Sequence, residues 1–185
     1  MNFIDIINED GEVVGQQDKD LVHQLGSWHR AVHIWIINNK REILIQKRSP
    51  NVDAYPNLWD FSCGGHVDAD EDLLTCAQRE TQEELGLTDV LSLKFVFLFD
   101  FKDSFTLNGG KYINNEIDSV YLVSLDSSNL KISMQTEELS QIEWVNYQEL
   151  EKRIIEHPEG FVPRLYEYQK FFKYLMTYFV EHSVK

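Results

Sequence analysis

The sequence predicts an α/β fold: a mixed β-sheet sandwiched between helices (α/β/α), with an N-terminal β-hairpin and a C-terminal helix. Three observations predict it. Strand-like apolar runs outnumber helical ones on both sides of one acidic helix at residues 68–86, as a mixed sheet between helix layers requires. At 185 residues, with 43% hydrophobic and 12% aromatic content, the chain is long enough to bury a full core as one domain. No apolar run approaches the length of a membrane span.

Each element has its own signal. FIDIIN and EVVGQ flank the turn residues Glu9, Asp10 and Gly11, so residues 1–26 read as a hairpin extension that includes a short helix at DKDLVHQL. The core, residues 27–160, opens with two strands, AVHIWIIN and EILIQKR, around a turn at Asn39 and Lys40. NVDAYPNLWD is a loop, and the aromatic WDFS that ends it is strand-like. Strands follow the acidic helix at LKFVFLFDF, IDSVYLVSL and QIEWV, and YQELEKRIIEH is a helix broken at Pro158 and Gly160. The last segment, 161–185, starts helically at Pro163. It places Leu165, Tyr168, Phe172, Leu175, Met176 and Phe179 on one stripe, which reads as a core-packing face in preference to a dimer surface.

The acidic helix carries the chemistry. Asp68 and Glu71 have the spacing of a capping pair at its start, and Gly86 is a helix-ending residue. Leu73, Leu74, Ala77 and Thr81 are available to face a core. At about 100° per residue, Glu80, Glu83 and Glu84 fall within a narrow arc of one face. Three carboxylates so close repel one another unless a hard divalent cation sits among them, and oxygen-only ligands favour Mg²⁺, with Mn²⁺ as a substitute. Such a cation suits a diphosphate: it bridges phosphate oxygens, offsets transition-state charge and lowers the pKa of an attacking water.

Gly65, Glu71, Arg79, Glu80, Glu83, Glu84 and Gly86 fit the pattern G-x5-E-x7-R-E-U-x-E-E-x-G-U across residues 65–87, and by that pattern the segment resembles the Nudix hydrolases. Seven fixed letters fall in register by chance on the order of 10⁻⁸ per starting point. Thr81 stands where an aliphatic residue is expected, and its hydroxyl can return to the Ala77 carbonyl within the helix. The resemblance implies metal-dependent cleavage of a diphosphate. It also implies that the Gly65 carbonyl is a metal ligand beside Glu80, Glu83 and Glu84, and that Arg79 pairs with Glu71 to orient the loop.

Upstream, HR at 29–30, QKRS at 46–49, YPNLWD at 55–60, GGH at 64–66 and NNEID at 114–118 resemble the isopentenyl-diphosphate-isomerase-like branch of that superfamily. Aligned on Gly65 and His66, the isomerase's cysteine falls on Gly64, with Cys63 one residue early and on the opposite face of a strand. Its diphosphate-binding lysine falls on Val52, and Asn114 replaces a carboxylate two residues before the matching Glu116. A hydrolase is therefore expected, with the isomerase as the alternative. A catalytically silent ligand-binding module is a third reading, disfavoured by the intact box.

Glu83, Glu116 and Glu138 are the candidate catalytic bases, in that order, with Glu137 beside Glu138. Arg30, Lys47, Arg48 and His66 are candidates to hold the substrate, arginine being suited to bidentate phosphate contact. Trp59, Tyr55 and Trp35 could stack on a base or serve the core. His29 and His66 match the isomerase metal site, with His23 a third neighbour, and are read as hydrogen-bonded residues or substrate contacts ahead of metal ligands.

A net charge of −14 repels nucleic acid polymers and anionic membranes, yet allows a small phosphorylated substrate neutralised by metal and local cations. Cys63 and Cys76 have neither metal spacing nor a disulfide framework, and the first residues show no signal segment, so a reduced cytoplasmic protein is expected. Many relatives are dimers, which leaves a homodimer open.

Overall fold

The architecture was read from a computed structural model that describes residues 3–8 and 10–181. Glu9 of the expected turn, residues 1–2 of the hairpin extension and residues 182–185 of the C-terminal segment lie outside the described residues. β1 (Phe3–Ile7) and β2 (Val13–Asp18) pair antiparallel as the predicted hairpin. The short helix α1 (Lys19–Leu25) follows, its start capped by the Asp18 side chain and its end turned by Gly26 at φ 65°.

The main sheet is built on β3 (His29–Asn38), which lies parallel to the distant β8 (Tyr112–Leu125) and antiparallel to β4 (Glu42–Arg48). The short β5 (Trp59–Asp60) edges β4, and β7 (Phe95–Leu107) edges β8, giving the order β5-β4-β3-β8-β7. Off this path, β6 (Cys63–His66) pairs with the first half of β3, and β9 (Leu139–Asn146) pairs with β4. β7 and β8 run longer than their apolar runs suggested, because polar residues at Asp103, Asn114 and Glu116 continue the ladder beside the site.

Helices cover both faces. On one, Val32, Ile34, Ile36 and Leu44 pack with Cys76, Ala77 and Leu85 of α2 (Leu73–Leu85). On the other, Trp35, Ile37, Ile43 and Val120 pack with Leu150 and Ile154 of α3 (Tyr147–Glu156) and with Tyr168, Phe171 and Leu175 of α4 (Leu165–Glu181). β3 is buried along nearly its whole length, as a strand covered on both faces must be.

Two local expectations are corrected. α2 is capped by Asp72, whose side chain accepts from the Leu74 and Thr75 N–H groups, so Asp68 and Glu71 precede the helix. Glu71 is drawn out of a capping role by Arg79, although its Oε2 still accepts the Asp68 N–H at 3.0 Å. α4 begins at Leu165, two residues after Pro163, and its buried stripe runs through Tyr168, Phe171, Phe172 and Leu175 while Leu165 and Met176 are exposed. Thr81 does return its hydroxyl to the Ala77 carbonyl, at 2.7 Å.

Candidate functional site

The box helix and the start of β3 meet over one cleft of about 240 Å³. Gly65, Glu80, Glu83 and Arg79 line it from the box, Glu116 and Asn114 from β8, and Glu138 from the turn before β9. Strand alternation aims the β8 residues: Asn114, Glu116 and Asp118 share a face, and the parallel register sets Glu116 opposite His29. Gly65 is needed for close approach, since a Cβ there would lie 2.6 Å from the Glu80 carboxyl carbon.

The box carboxylates are held in a strained electrostatic state. Glu80 and Glu84 are buried, and Glu84 Oε2 makes no hydrogen bond among the described residues. Burial, then the neighbouring Glu80 and Glu138, push the Glu84 carboxyl well above the usual range. Burial likewise raises Glu80, against the opposing pull of Arg79 at 2.7 Å. Glu83 stands at the rim, 3.2 Å from Arg79 Nη1. Buried, partly unpartnered oxygen donors beside a glycine backbone fit a hard divalent cation, which would relieve the desolvation that raises Glu84.

A second donor set adjoins it. His29 Nε2 and His66 Nε2 lie 3.1 and 3.0 Å from Glu116 Oε1, and His23 Nε2 lies 3.2 Å from His66 Nε2. His29 Nδ1 donates to the Ser27 carbonyl at 2.9 Å, which fixes its ring with Nε2 turned inward. Burial works to raise Glu116, but the hydrogen bonds from His29 and His66 hold it well below the usual carboxylate range. Burial, then His29, lowers His66, and burial with His66 and His29 lowers His23 to about 4. His29 goes the other way, because Glu116 outweighs its burial. His23, His29, His66 and Glu116 offer one ligand atom each within 4.8 Å of one another, a nitrogen-rich set able to hold a divalent ion of softer type than Mg²⁺.

Among the residues expected to hold substrate, Arg48 and His66 line the cleft. Arg30 and Lys47 do not. Arg30, between the inward His29 and Ala31, points to the opposite face and donates to the Gly11 carbonyl at 3.0 Å. Lys47 lies over the Trp59 ring at 5.9 Å. Tyr55 lines the cleft, whereas Trp35 is core, stacked on Phe171 at 4.1 Å. Lys19, His33, Phe105, Tyr112 and Arg164 also line it and carry no local signal in the sequence. The one clue was polar residues at alternate positions, His29 and His33 in β3 and Asn114, Glu116 and Asp118 in β8, within otherwise apolar strands.

With that geometry in place, comparison is decisive: the Nudix domain profile matches residues 27–165. The chain belongs to the Nudix family. It is 37% identical to Nudix hydrolase 3 of Arabidopsis thaliana over 166 residues, which is 86% of this chain but 21% of that protein. It therefore spans about a fifth of that relative's length. It is 31% identical over 156 residues to an isopentenyl-diphosphate Delta-isomerase of Serratia proteamaculans, covering 84% of this chain and 83% of that one. Among solved structures, DR0079 of Deinococcus radiodurans superposes with a TM-score of 0.66 at 26% identity, over 84% of this chain and 90% of that chain. Arg79, which pairs with Glu71, lines the cleft beside Glu80 and Glu83 of α2. Among the described residues no helix is long and apolar enough to cross a membrane.

Proposed function

We propose that this Nudix protein is a Mg²⁺-dependent diphosphohydrolase of the cytoplasm, cleaving a nucleoside diphosphate linked to X or a related small diphosphate by attack of water on phosphorus. The observation that carries this is Glu84, buried with an unpartnered oxygen near Glu80, which lines the cleft. Glu80, Glu83, Glu84 and the Gly65 carbonyl would hold Mg²⁺, or Mn²⁺ in its place. When bound, the ion neutralises the diphosphate and activates water.

The chain supplies the rest. Arg48 and Lys19, both at the cleft, can bind phosphate oxygens. Glu83 at the rim and Glu138, close enough to Glu84 to raise it, can accept the water's proton. Glu116 is already engaged by His29, His66 and the Asn114 amide at 2.7 Å, which suits a ligand better than a free base. A second reading, isopentenyl-diphosphate isomerase, is favoured by the cluster of His23, His29, His66 and Glu116, and opposed by Gly64. The test is a product screen over nucleoside diphosphates, nucleotide sugars, dinucleotides, coenzyme A and prenyl diphosphates with Mg²⁺ or Mn²⁺ in ¹⁸O-water. Label should appear in a released phosphate; no cleavage of any diphosphate would sink the reading.

A further inference from the structure

The loop that leads from Gly65 into α2 is held from two sides. On one, Arg79 takes Glu71 and the His66 carbonyl. On the other it meets the N-terminal hairpin, whose strands lie outside the residues 27–165 that the Nudix profile matches. The Ala69 N–H donates to the Phe3 carbonyl at 2.8 Å, and Ile4 and Asp68 form an antiparallel bridge. The Asp70 N–H then donates to Asp5 Oδ2 at 3.1 Å.

Asp70 is the residue of this loop that needs holding. Its φ is 62°, in the left-handed region where a side chain other than glycine's is strained. Glu71 follows it directly, so the backbone at Asp70 sets the direction in which Glu71 leaves towards Arg79. Such strain persists only where the surroundings over-determine it. Here Asp5 accepts the Asp70 N–H, and Gln16 Nε2 donates to Asp5 Oδ1 at 3.1 Å and to Asp70 Oδ2 at 3.4 Å.

The hairpin is itself fixed, so it can serve as the firm side of this clasp. Ile4 and Ile7 are buried, and the Ile7 N–H donates to the Trp28 carbonyl at 2.8 Å. The Arg30 guanidinium, turned away from the cleft, donates to the Gly11 carbonyl at 3.0 Å. A Cβ at Gly11 would lie 2.9 Å from Arg30 Nη2, so the hairpin turn sits directly on that side chain. Both anchors belong to the start of β3, whose His29 holds Glu116 and whose Ala31 lines the cleft. The hairpin therefore ties the box loop to the strand on which the site is built.

We propose that Asp5 is a positioning residue for the metal site: by holding Asp70 in its left-handed conformation it aims Glu71 at Arg79, and so keeps the Gly65 carbonyl, Glu80 and Glu83 in register. It acts through the loop and touches no reacting atom. This rests on the metal-dependent reading for what is positioned.

The test combines amide exchange, followed by NMR, with calorimetric Mg²⁺ binding. Three variants are compared: Asp5→Ala, Asp5→Asn, which keeps an acceptor for the Asp70 N–H, and Asp5→Ala with Asp70→Gly, in which the left-handed angle costs no strain. Buried Ile4 and Ile7 keep the hairpin folded in each. Asp5→Ala should speed exchange at Ala69, Asp70 and Glu71 at least ~10-fold while β3 amides stay protected. It should weaken Mg²⁺ at least ~5-fold, short of the ~10–100-fold typical of residues bonded directly to a ligand. Asp5→Asn should stay within ~2-fold of wild type, and Asp70→Gly should bring Asp5→Ala back to within ~2-fold, because coupled residues are not additive. Loop exchange or Mg²⁺ affinity unchanged in Asp5→Ala overturns the proposal, as does a double variant no better than Asp5→Ala or an Asp5→Asn as poor. A wild type that binds no Mg²⁺ sinks the metal-site reading and this role with it. Mg²⁺ binding indifferent to Asp5 sinks this role alone.

Discussion

Arg79 and Glu71 are joined by two parallel hydrogen bonds, Nε to Oε1 and Nη2 to Oε2, both 2.9 Å. The pair does more than neutralise two charges. Glu71 Oε2 also accepts the Asp68 N–H, and Arg79 donates onward to the His66 carbonyl at 3.0 Å and to Glu80 and Glu83. One guanidinium thus ties the loop ahead of α2 to the carboxylates that face the cleft. Burial works to raise Glu71, yet the Arg79 hydrogen bonds hold it below the usual range, and Glu71 in turn raises Arg79. Fork-to-fork geometry of this kind gives orientation as well as energy.

Arg79→Ala should therefore act through position. The loop from His66 to Asp72 loses its anchor and Glu80 its partner, and a misplacement of about 1 Å can lower turnover ~10²-fold. Arg79→Lys, with a charge but no fork, should recover only part of this. Steady-state kinetics and thermal unfolding check both. If Arg79→Ala keeps wild-type kcat at saturating Mg²⁺, the pair is not what positions the glutamates.

How legible this was depends on the range of the interaction. Gly65, Glu80, Glu83 and Glu84 lie within one turn-and-helix, so spacing alone placed them together. The strands were equally readable, because β3 and β4 are long apolar runs between turn residues. Arg30 and Lys47 show the limit. Each is adjacent to a cleft residue, Ala31 or Arg48, and strand alternation sends it elsewhere. Arg164 was invisible for another reason. Its neighbours Asp60, Asp103 and Asp118 lie on three separate segments, and only the assembled sheet brings them to it.

Glu84→Gln separates stability from catalysis. Glu84 binds a proton more readily folded than unfolded, so above its ordinary value of 4.5 the folded chain holds more protons and its stability falls as pH rises. An amide removes that penalty. Without metal, Glu84→Gln should melt at or above wild type at pH 7, with the difference vanishing near pH 4. With Mg²⁺ it should lose at least ~10²-fold in kcat, as should Glu83→Gln. Near-normal turnover in both variants would refute the metal-site assignment.

Mg²⁺ should bind in competition with protons on Glu80 and Glu84, both raised by burial, so its apparent affinity should climb as pH rises through the weakly acidic range. Chelation should leave a folded protein, since both core clusters are apolar side chains of the sheet and its helices. At a hundred times Kd the ion should add about 2.7 kcal/mol by mass action. Calorimetry across pH reads the first effect and melting curves the second. Global unfolding on chelation would point instead to a structural ion at His23, His29 and His66.

Isopentenyl and dimethylallyl diphosphate should not interconvert. Isomerisation needs an acid and a base on opposite faces of the double bond. Glu116 is present for one face, but Gly64 offers no side chain for the other. Nor can it acquire one cheaply: a Cβ there would collide with the Val32 carbonyl and lie 2.9 Å from the Phe61 ring. Cys63 next to it is fully buried, 3.6 Å from Thr81 Oγ1 under α2, and burial with Glu84 pushes its thiol well above the usual value. Val52, in the position of the expected lysine, gives the diphosphate no cation. Gly64→Cys should then lower stability by about 1–3 kcal/mol through overpacking and gain no isomerase activity. Deuterium exchange into isopentenyl diphosphate, followed by NMR, is the measurement for wild type and variant. Allylic incorporation that depends on Glu116 would overturn the hydrolase reading and return Cys63 as the acid.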